Sequence, residues 1–133
     1  AFPEFYAEYD AATGLGKRLG NRFVCNGAIK YVGQKQVARD IENLKSAATK
    51  ANAVDAFLPV VAPASALPGG KNEFYEDEES YLFALADALN VEYRAIVDAG
   101  LIVQIDDAFM PYWYEKMVPP MSLGEYRKWA ALR

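Results

Sequence analysis

The chain has 133 residues, 53% of them hydrophobic and 24% charged, with a net charge of −4 and a pI near 4.8. This composition suits a folded domain, and the acidic balance disfavours nucleic acid, whose phosphates need clustered Lys and Arg. There is no histidine and one cysteine, Cys25. These counts exclude Ser-His-Asp and Cys-His nucleophiles, internal disulfides and histidine-containing metal sites within the chain. Because no apolar run approaches about 20 residues and the acidic, aromatic start is unlike a signal peptide, we expect a cytoplasmic protein with no membrane partner.

The first half of the chain shows apolar spacing typical of helices and strands in alternation. Residues 2–9 carry aromatic side chains at helical spacing and are predicted to be the tail of a helix. Three glycines between residues 14 and 20 predict a loop. The run FVCNGAI predicts a strand that ends near residues 26–27. Apolar residues from Val37 onward, at 4-3-4-3 spacing, predict a helix over residues 34–51.

The second half continues the alternation. The run AFLPVV predicts a buried strand over residues 56–61, although its proline removes a ladder hydrogen bond. Residues 63–76 are predicted to form a long polar loop. A long helix is predicted from Asp77, with Gly100 as its stop, and LIVQID directly afterwards predicts a third strand. Ser122 and Glu125 predict a capping box for a final helix that runs to Arg133.

This order of elements predicts an α/β fold of three consecutive parallel βα units, a fragment of a (β/α)8 TIM barrel. Three parallel strands alone would leave both sheet edges open, which a closed barrel avoids. We therefore expect residues 1–133 to be the central part of one barrel domain, incomplete at both ends and unstable or self-associating alone. The strands should be adjacent in chain order, with helices on one common face. A small flavodoxin-like sheet is the alternative.

Functional residues of parallel α/β folds gather at the C-terminal ends of strands, which here are residues 26–27, 62–65 and 106–107. Gln104 and Asp106 alternate with apolar residues, so they should share one strand face and point into the barrel. A carboxylate there needs a substrate ammonium, an Arg or water as a partner. We therefore predict that Gln104, Asp106 and Asp107 bind substrate. The alternative for either aspartate is that it caps the following loop in an Asx-turn.

A second candidate region lies in the loop before the long helix. Asn72, Glu73 and Tyr75 combine amide, carboxylate and aromatic groups that suit a flat heterocycle or a loop closing over a substrate. The alternative is that the aromatic side chains only staple the loop to the helix. Cys25 is interpreted as an inert buried thiol. The run FMPYWY (109–114) is interpreted as packing at the barrel rim, with a pocket wall as the alternative.

Five segments, taken in order, resemble the cobalamin-independent methionine synthase family. More closely they resemble its shorter single-barrel relatives, which include epoxyalkane:coenzyme M transferases. The segments are RFVCNGAIKYVGQ, FLPVVAPAS, NEFYEDEESYLFALADAL, EYRAIVDAGLIVQIDDAFMP and SLGEYRKWAALR. The fourth matches the family's strand that ends in I-D-E/D, and the resemblance spans the chain from Phe5 onward.

The resemblance implies a barrel of the methionine synthase and uroporphyrinogen decarboxylase type, with its third to fifth strands in this chain. It also implies a catalytic zinc whose His and Cys ligands lie outside the chain, so that no zinc ligand is assigned here. The zinc would activate a thiol substrate as a thiolate, with methyltetrahydrofolate as the methyl donor in methionine synthases. Asp106 stands where the family's acidic residue holds the polar end of the thiol. The proline that usually follows the acidic pair is Ala108 here, as in some shorter relatives.

We therefore expect the chain to be part of a zinc-dependent methyl or alkyl transferase that acts on a thiol. The rest of the barrel, in the same chain or a partner chain, would complete the enzyme. The 133 residues alone would be inactive. Three alternatives stay open. The first is thiol alkylation of the coenzyme M transferase type, and the second is a non-catalytic barrel piece. The third is a decarboxylase of the uroporphyrinogen type, which would not need zinc.

Overall fold

The computed structural model describes residues 3–13, 24–67 and 71–133. The predicted glycine-rich loop and the start of the first strand lie outside these residues. In the described part, helices and short strands follow one another as α1 (Pro3–Thr13), β1 (Val24–Cys25), α2 (Gln34–Lys50), β2 (Phe57–Val61), α3 (Pro63–Ala66), β3 (Lys71–Asn72), α4 (Glu78–Asp98), β4 (Ile102–Asp106), α5 (Phe109–Met117) and α6 (Leu123–Ala130).

Local signals set the ends of the long helix α4 and of α6. Asp77 is the N-cap of α4, and its Oδ1 accepts a hydrogen bond from the Ser80 N–H at 2.7 Å. Gly100 follows the helix with φ of 80°, a left-handed conformation that favours glycine. Ser122 and Glu125 form the predicted capping box of α6. These three predictions are confirmed, but α6 ends at Ala130 and does not continue to the end of the chain.

Strands β2 and β4 pair in parallel, as the alternation of strands and helices predicted. Their register runs from Phe57 opposite Ile102 to Val61 opposite Asp106, with α4 between them in the chain. Pro59 lies inside β2; it is tolerated where one side of a strand needs no ladder hydrogen bond, as at a sheet edge. The described residues thus contain the central βα unit that the sequence predicted.

The first strand differs from the expectation. The two-residue strand β1 pairs in parallel with β3, not with β2, so the described strands form two small sheets and no closed barrel. The pairing continues beyond the strands, where the Glu73 N–H donates to the Cys25 carbonyl at 2.9 Å. The prediction of one long polar loop over residues 63–76 was therefore incomplete, because that segment contains the short elements α3 and β3. Its polar composition does not reveal that the chain returns beside β1.

The core lies between the β2–β4 sheet and one layer of helices. Val37 of α2, Val60 of β2 and Ile96 of α4 are buried together, with Leu58 and Val103 partly buried beside them. Both helices therefore cover the same face of this sheet. The Lys45 ammonium also donates to the Ala99 carbonyl at 2.8 Å, which fastens α2 to the end of α4. A helix layer on one common face is what the sequence predicted for this pair of strands.

The opposite face of the β2–β4 sheet is exposed. Side chains alternate along a strand, and Phe57, Val61 and Ile102 on this face are 53%, 41% and 54% exposed. Gln104 and Asp106 lie on the same face and are also exposed. Apolar side chains in such numbers on one sheet face are typical of a surface that another layer covers.

Candidate functional site at the ends of the parallel strands

The C-terminal ends of β2 and β4 form one edge of the sheet. Val61 is opposite Asp106 in the register, and the Ala62 N–H donates to the Asp106 carbonyl at 2.9 Å, which extends the pairing by one residue. Helix α3 follows β2 directly, with Pro63 in its first turn, where proline is tolerated because no helical N–H is needed. Helix α5 follows β4 after two residues. This edge therefore brings together the residues predicted at 62–65 and 106–107.

Gln104 and Asp106 are in direct contact. The Gln104 Nε2 donates to the Asp106 Oδ1 at 2.7 Å. The prediction that these two side chains share one strand face is confirmed, and that face is the one that α2 and α4 leave uncovered. The amide holds one oxygen of the carboxylate, which fixes the direction of the group while it remains exposed to solvent.

Asp107 points elsewhere and has structural partners. Its Oδ1 accepts hydrogen bonds from the Ser65 hydroxyl at 3.0 Å and from the Phe109 N–H at 3.2 Å. The carboxylate thus forms an Asx-turn just before α5, which was the alternative interpretation, and links this turn to α3. The partner Ser65 was not singled out in the sequence beyond its position after a strand. A hydrogen bond between residues 42 positions apart has no local sequence signal.

Asn72 and Tyr75, which were predicted to bind substrate, form hydrogen bonds and ring contacts that hold the loop before α4 in place. The Asn72 Oδ1 accepts from the Phe74 and Tyr75 N–H groups at 3.2 and 2.9 Å, an Asx-turn arrangement. The Tyr75 ring stacks on Tyr81 of α4 with centroids 5.6 Å apart, and its hydroxyl accepts from the Ile29 N–H at 2.8 Å. These contacts agree with the alternative in which aromatic side chains staple the loop to the helix.

Glu73 is paired within its own sheet. Its carboxylate lies 2.8 Å from the Lys71 ammonium, and this exposed pair raises the pKa of Lys71. Asn72 and Glu73 continue the β1–β3 sheet, whereas Gln104 and Asp106 belong to the β2–β4 sheet. A substrate role for Asn72, Glu73 and Tyr75 stays a prediction.

A cavity of about 400 Å³ lies beside the strand ends, between α3, the first turn of α4, α5 and α6. Phe109 and Trp113 of α5 contribute to its wall, so the run FMPYWY forms a helix with one side on a cavity. The sequence interpretation favoured packing at a barrel rim, with a pocket wall as the alternative. Pro111 concealed the helix in the sequence, although proline is tolerated in a first turn. Residues of three kinds line the cavity: aromatic (Phe109, Trp113, Trp129), aliphatic or thioether (Ala64, Leu67, Met110, Met117) and charged (Glu78, Arg133).

The residues present do not fit a zinc site. Across 3–13, 24–67 and 71–133, no three His, Cys, Asp or Glu side chains lie close enough together to hold a metal ion. The half-buried Cys25 thiol donates to the Gly27 carbonyl at 3.5 Å. The zinc ligands that the resemblance implies are therefore not found among the described residues.

The chain matches no protein-family profile, no curated protein and no solved structure. Within the described part, no helix combines the length and the apolar character needed to cross a membrane.

Proposed function

We propose that this chain supplies the edge that binds the thiol substrate in a (β/α)8 barrel that transfers a methyl or alkyl group to that thiol. The observation that carries the proposal is the Gln104–Asp106 pair, which lies at the C-terminal end of β4 on the face opposite the helices. In barrels of this kind, the residues that bind substrate lie at the C-terminal ends of the strands and face the axis.

The exposed sheet face supports a barrel. Phe57, Val61 and Ile102 together would be an unusual solvent surface for a finished domain. In a closed barrel the same face is the interior, which layers of side chains from the other strands fill. The partner in this proposal is therefore the rest of the barrel, in the same chain or in a second chain.

The chemical task of Asp106 follows from its charge and its fixed direction. A carboxylate that is held by an amide at 2.7 Å suits a hydrogen bond to an ammonium or another donor, and bonds to charged groups are worth about 1.5–3 kcal/mol. The group would hold the polar end of the thiol substrate and would not transfer protons. The zinc would be bound by other residues, because the described ones do not form a metal site.

This charge favours one class of thiol over another. An amino-acid thiol such as homocysteine presents an ammonium to Asp106, whereas coenzyme M presents a sulfonate, which a carboxylate repels. We therefore place the acceptor among amino thiols, with methyltetrahydrofolate as the candidate methyl donor.

A thiol panel tests the proposal on the complete protein. Loss of free thiol would be followed with homocysteine, with coenzyme M and with 4-mercaptobutyrate, which is homocysteine without its ammonium, each with and without the methyl donor. We expect consumption of homocysteine that depends on the donor, together with zinc in the purified protein. Preference for coenzyme M would favour the epoxyalkane type of reaction. Absence of both zinc and thiol consumption would contradict the proposal and favour a decarboxylase or a non-catalytic barrel piece.

A further inference from the structure

The cavity between α3, α4, α5 and α6 has the size and walls of a small-molecule site. Its volume of about 400 Å³ is within the range of ligand clefts, roughly 300–1,000 Å³. Three aromatic rings form a corner: Trp113 lies 6.4 Å from Phe109 and 6.3 Å from Trp129 between centroids, the second pair nearly perpendicular at 65°. A flat ring can stack on one of these faces while its edge meets another. The thioethers of Met110 and Met117 complete the apolar wall and can adapt to the shape of the ligand.

The charged groups at the cavity differ in how deeply they lie. The Arg133 side chain is 8% exposed, whereas the Glu78 side chain that pairs with it at 2.5 Å is 60% exposed. Arg133 also stacks on the Trp129 ring at 4.0 Å and donates to the Trp129 carbonyl at 3.2 Å. The buried charge in the wall is therefore a guanidinium, and the carboxylate beside it is exposed to solvent.

The buried Arg133 guanidinium favours an anionic ligand over a cationic one. An organic cation would have to displace Arg133 from the ring face that it covers and would bring two positive charges together. An anion needs only to replace the exposed carboxylate of Glu78, and Arg133 can hold a planar carboxylate with two parallel N–H groups. The guanidinium has five N–H donors, more than its contacts with Glu78 and Trp129 use.

From these observations we infer that the cavity binds a small aromatic carboxylate, with its ring stacked on one face of the aromatic corner that Phe109, Trp113 and Trp129 form and its carboxylate on Arg133. This site is separate from the edge that carries Gln104 and Asp106, and the inference does not depend on thiol transfer. It adds a binding function to α6 and to α5, whose run FMPYWY was interpreted from the sequence as rim packing with a pocket wall as the alternative.

The two tryptophans of the chain make a direct measurement feasible. Trp113 and Trp129 are the only tryptophans in the sequence, and both line the cavity. Tryptophan fluorescence therefore reports on this site. The protein would be titrated with 3-phenylpropionate, with its neutral amide and with 2-phenylethyltrimethylammonium. We expect a saturable fluorescence change with the carboxylate and binding of the amide weaker by at least about tenfold, as for loss of a bond to a charged group.

Two pairs of variants give the controls. Arg133→Gln should weaken binding of the carboxylate by at least about tenfold, whereas Arg127→Gln, in α6 but outside the cavity wall, should leave it unchanged. Glu78→Gln removes the competing carboxylate and should tighten binding by about two- to fivefold, the range of an exposed ion pair. Glu79→Gln, in the same exposed first turn of α4 but outside the cavity, is its matched control.

The outcomes separate clearly. Equal binding of acid and amide, tighter binding of the ammonium compound, or no saturable change would each overturn the inference. Unchanged or weaker binding of the carboxylate in Glu78→Gln would also overturn the inference. Because Glu78→Gln leaves Arg133 and Trp129 in place, this test still holds if Arg133→Gln disturbs the end of α6.

Discussion

Ile96 is the side chain on which the packing of α4 against the sheet depends most. It is 1% exposed and contacts the buried Val37 and Val60. Replacing it with Ala removes roughly three CH2-sized groups, which is about 2.4 kcal/mol of transfer free energy. A cavity left between a strand and two helices adds to this loss, and such changes typically cost about 2–5 kcal/mol. We expect Ile96→Ala to lower the free energy of unfolding by about 3 kcal/mol.

The neighbouring Val97 is the matched control, because it lies on the same helix and is 53% exposed. Val97→Ala removes roughly two such groups from a half-exposed position, about 0.8 kcal/mol. The higher helix propensity of Ala offsets about 0.5 kcal/mol of this. Urea unfolding followed by circular dichroism would give both values from midpoint and slope, at several protein concentrations to detect association. Equal losses in the two variants, or a loss below about 1 kcal/mol for Ile96→Ala, would refute the packing described here.

Three further predictions concern single contacts. Asp107→Ala should lower the free energy of unfolding by about 1–2 kcal/mol, because it removes the hydrogen bonds that the carboxylate accepts from the Ser65 hydroxyl and the Phe109 N–H, and thermal unfolding would detect the change; an unaltered melting temperature would contradict it. Ser122→Ala should cost about 0.5–2 kcal/mol through loss of the α6 capping box, visible in urea unfolding as a lower midpoint. The pKa of Tyr31 is raised from 10.0 to about 12, mainly by burial and to a smaller extent by the nearby Glu92 carboxylate. The contribution of the neutral Tyr31 side chain to the free energy of unfolding is therefore complete below pH 10 and is lost as the pH rises toward 12. The free energy of unfolding should fall over that interval, and it should fall less in Tyr31→Phe.

The long elements were predictable because their signals are local. The cap at Asp77, the stop at Gly100 and the box at Ser122 each depend on residues within one helical turn. The parallel pairing of β2 with β4 followed from a helix between two apolar strands. The shared face of Gln104 and Asp106 followed from the two-residue repeat of a strand.

The features that the sequence did not reveal depend on contacts between distant segments. The pairing of β1 with Lys71–Asn72 joins residues nearly 50 positions apart, and Lys71–Asn72 has neither the length nor the apolar character of an ordinary strand. The cavity at α5 and α6 is equally non-local, since Arg133 reaches Glu78 at the start of α4. Asp107 was predicted to bind substrate, with an Asx-turn as the alternative; the turn contact with the Phe109 N–H is local, but the hydrogen bond from Ser65 depends on the packing of α3 beside β4.

The central claim, that Asp106 holds the polar end of a thiol substrate, is tested most directly by Asp106→Asn in the complete protein. The exposed Asp55, just before β2 at the opposite end of the sheet, provides the control Asp55→Asn. We expect Asp106→Asn to lower kcat/KM for the amino thiol by about 10- to 150-fold, the equivalent of a bond to a charged group, with zinc content unchanged and Asp55→Asn without effect. An unaltered kcat/KM in Asp106→Asn would contradict the substrate role, and loss of zinc from that variant would assign Asp106 to the metal site instead.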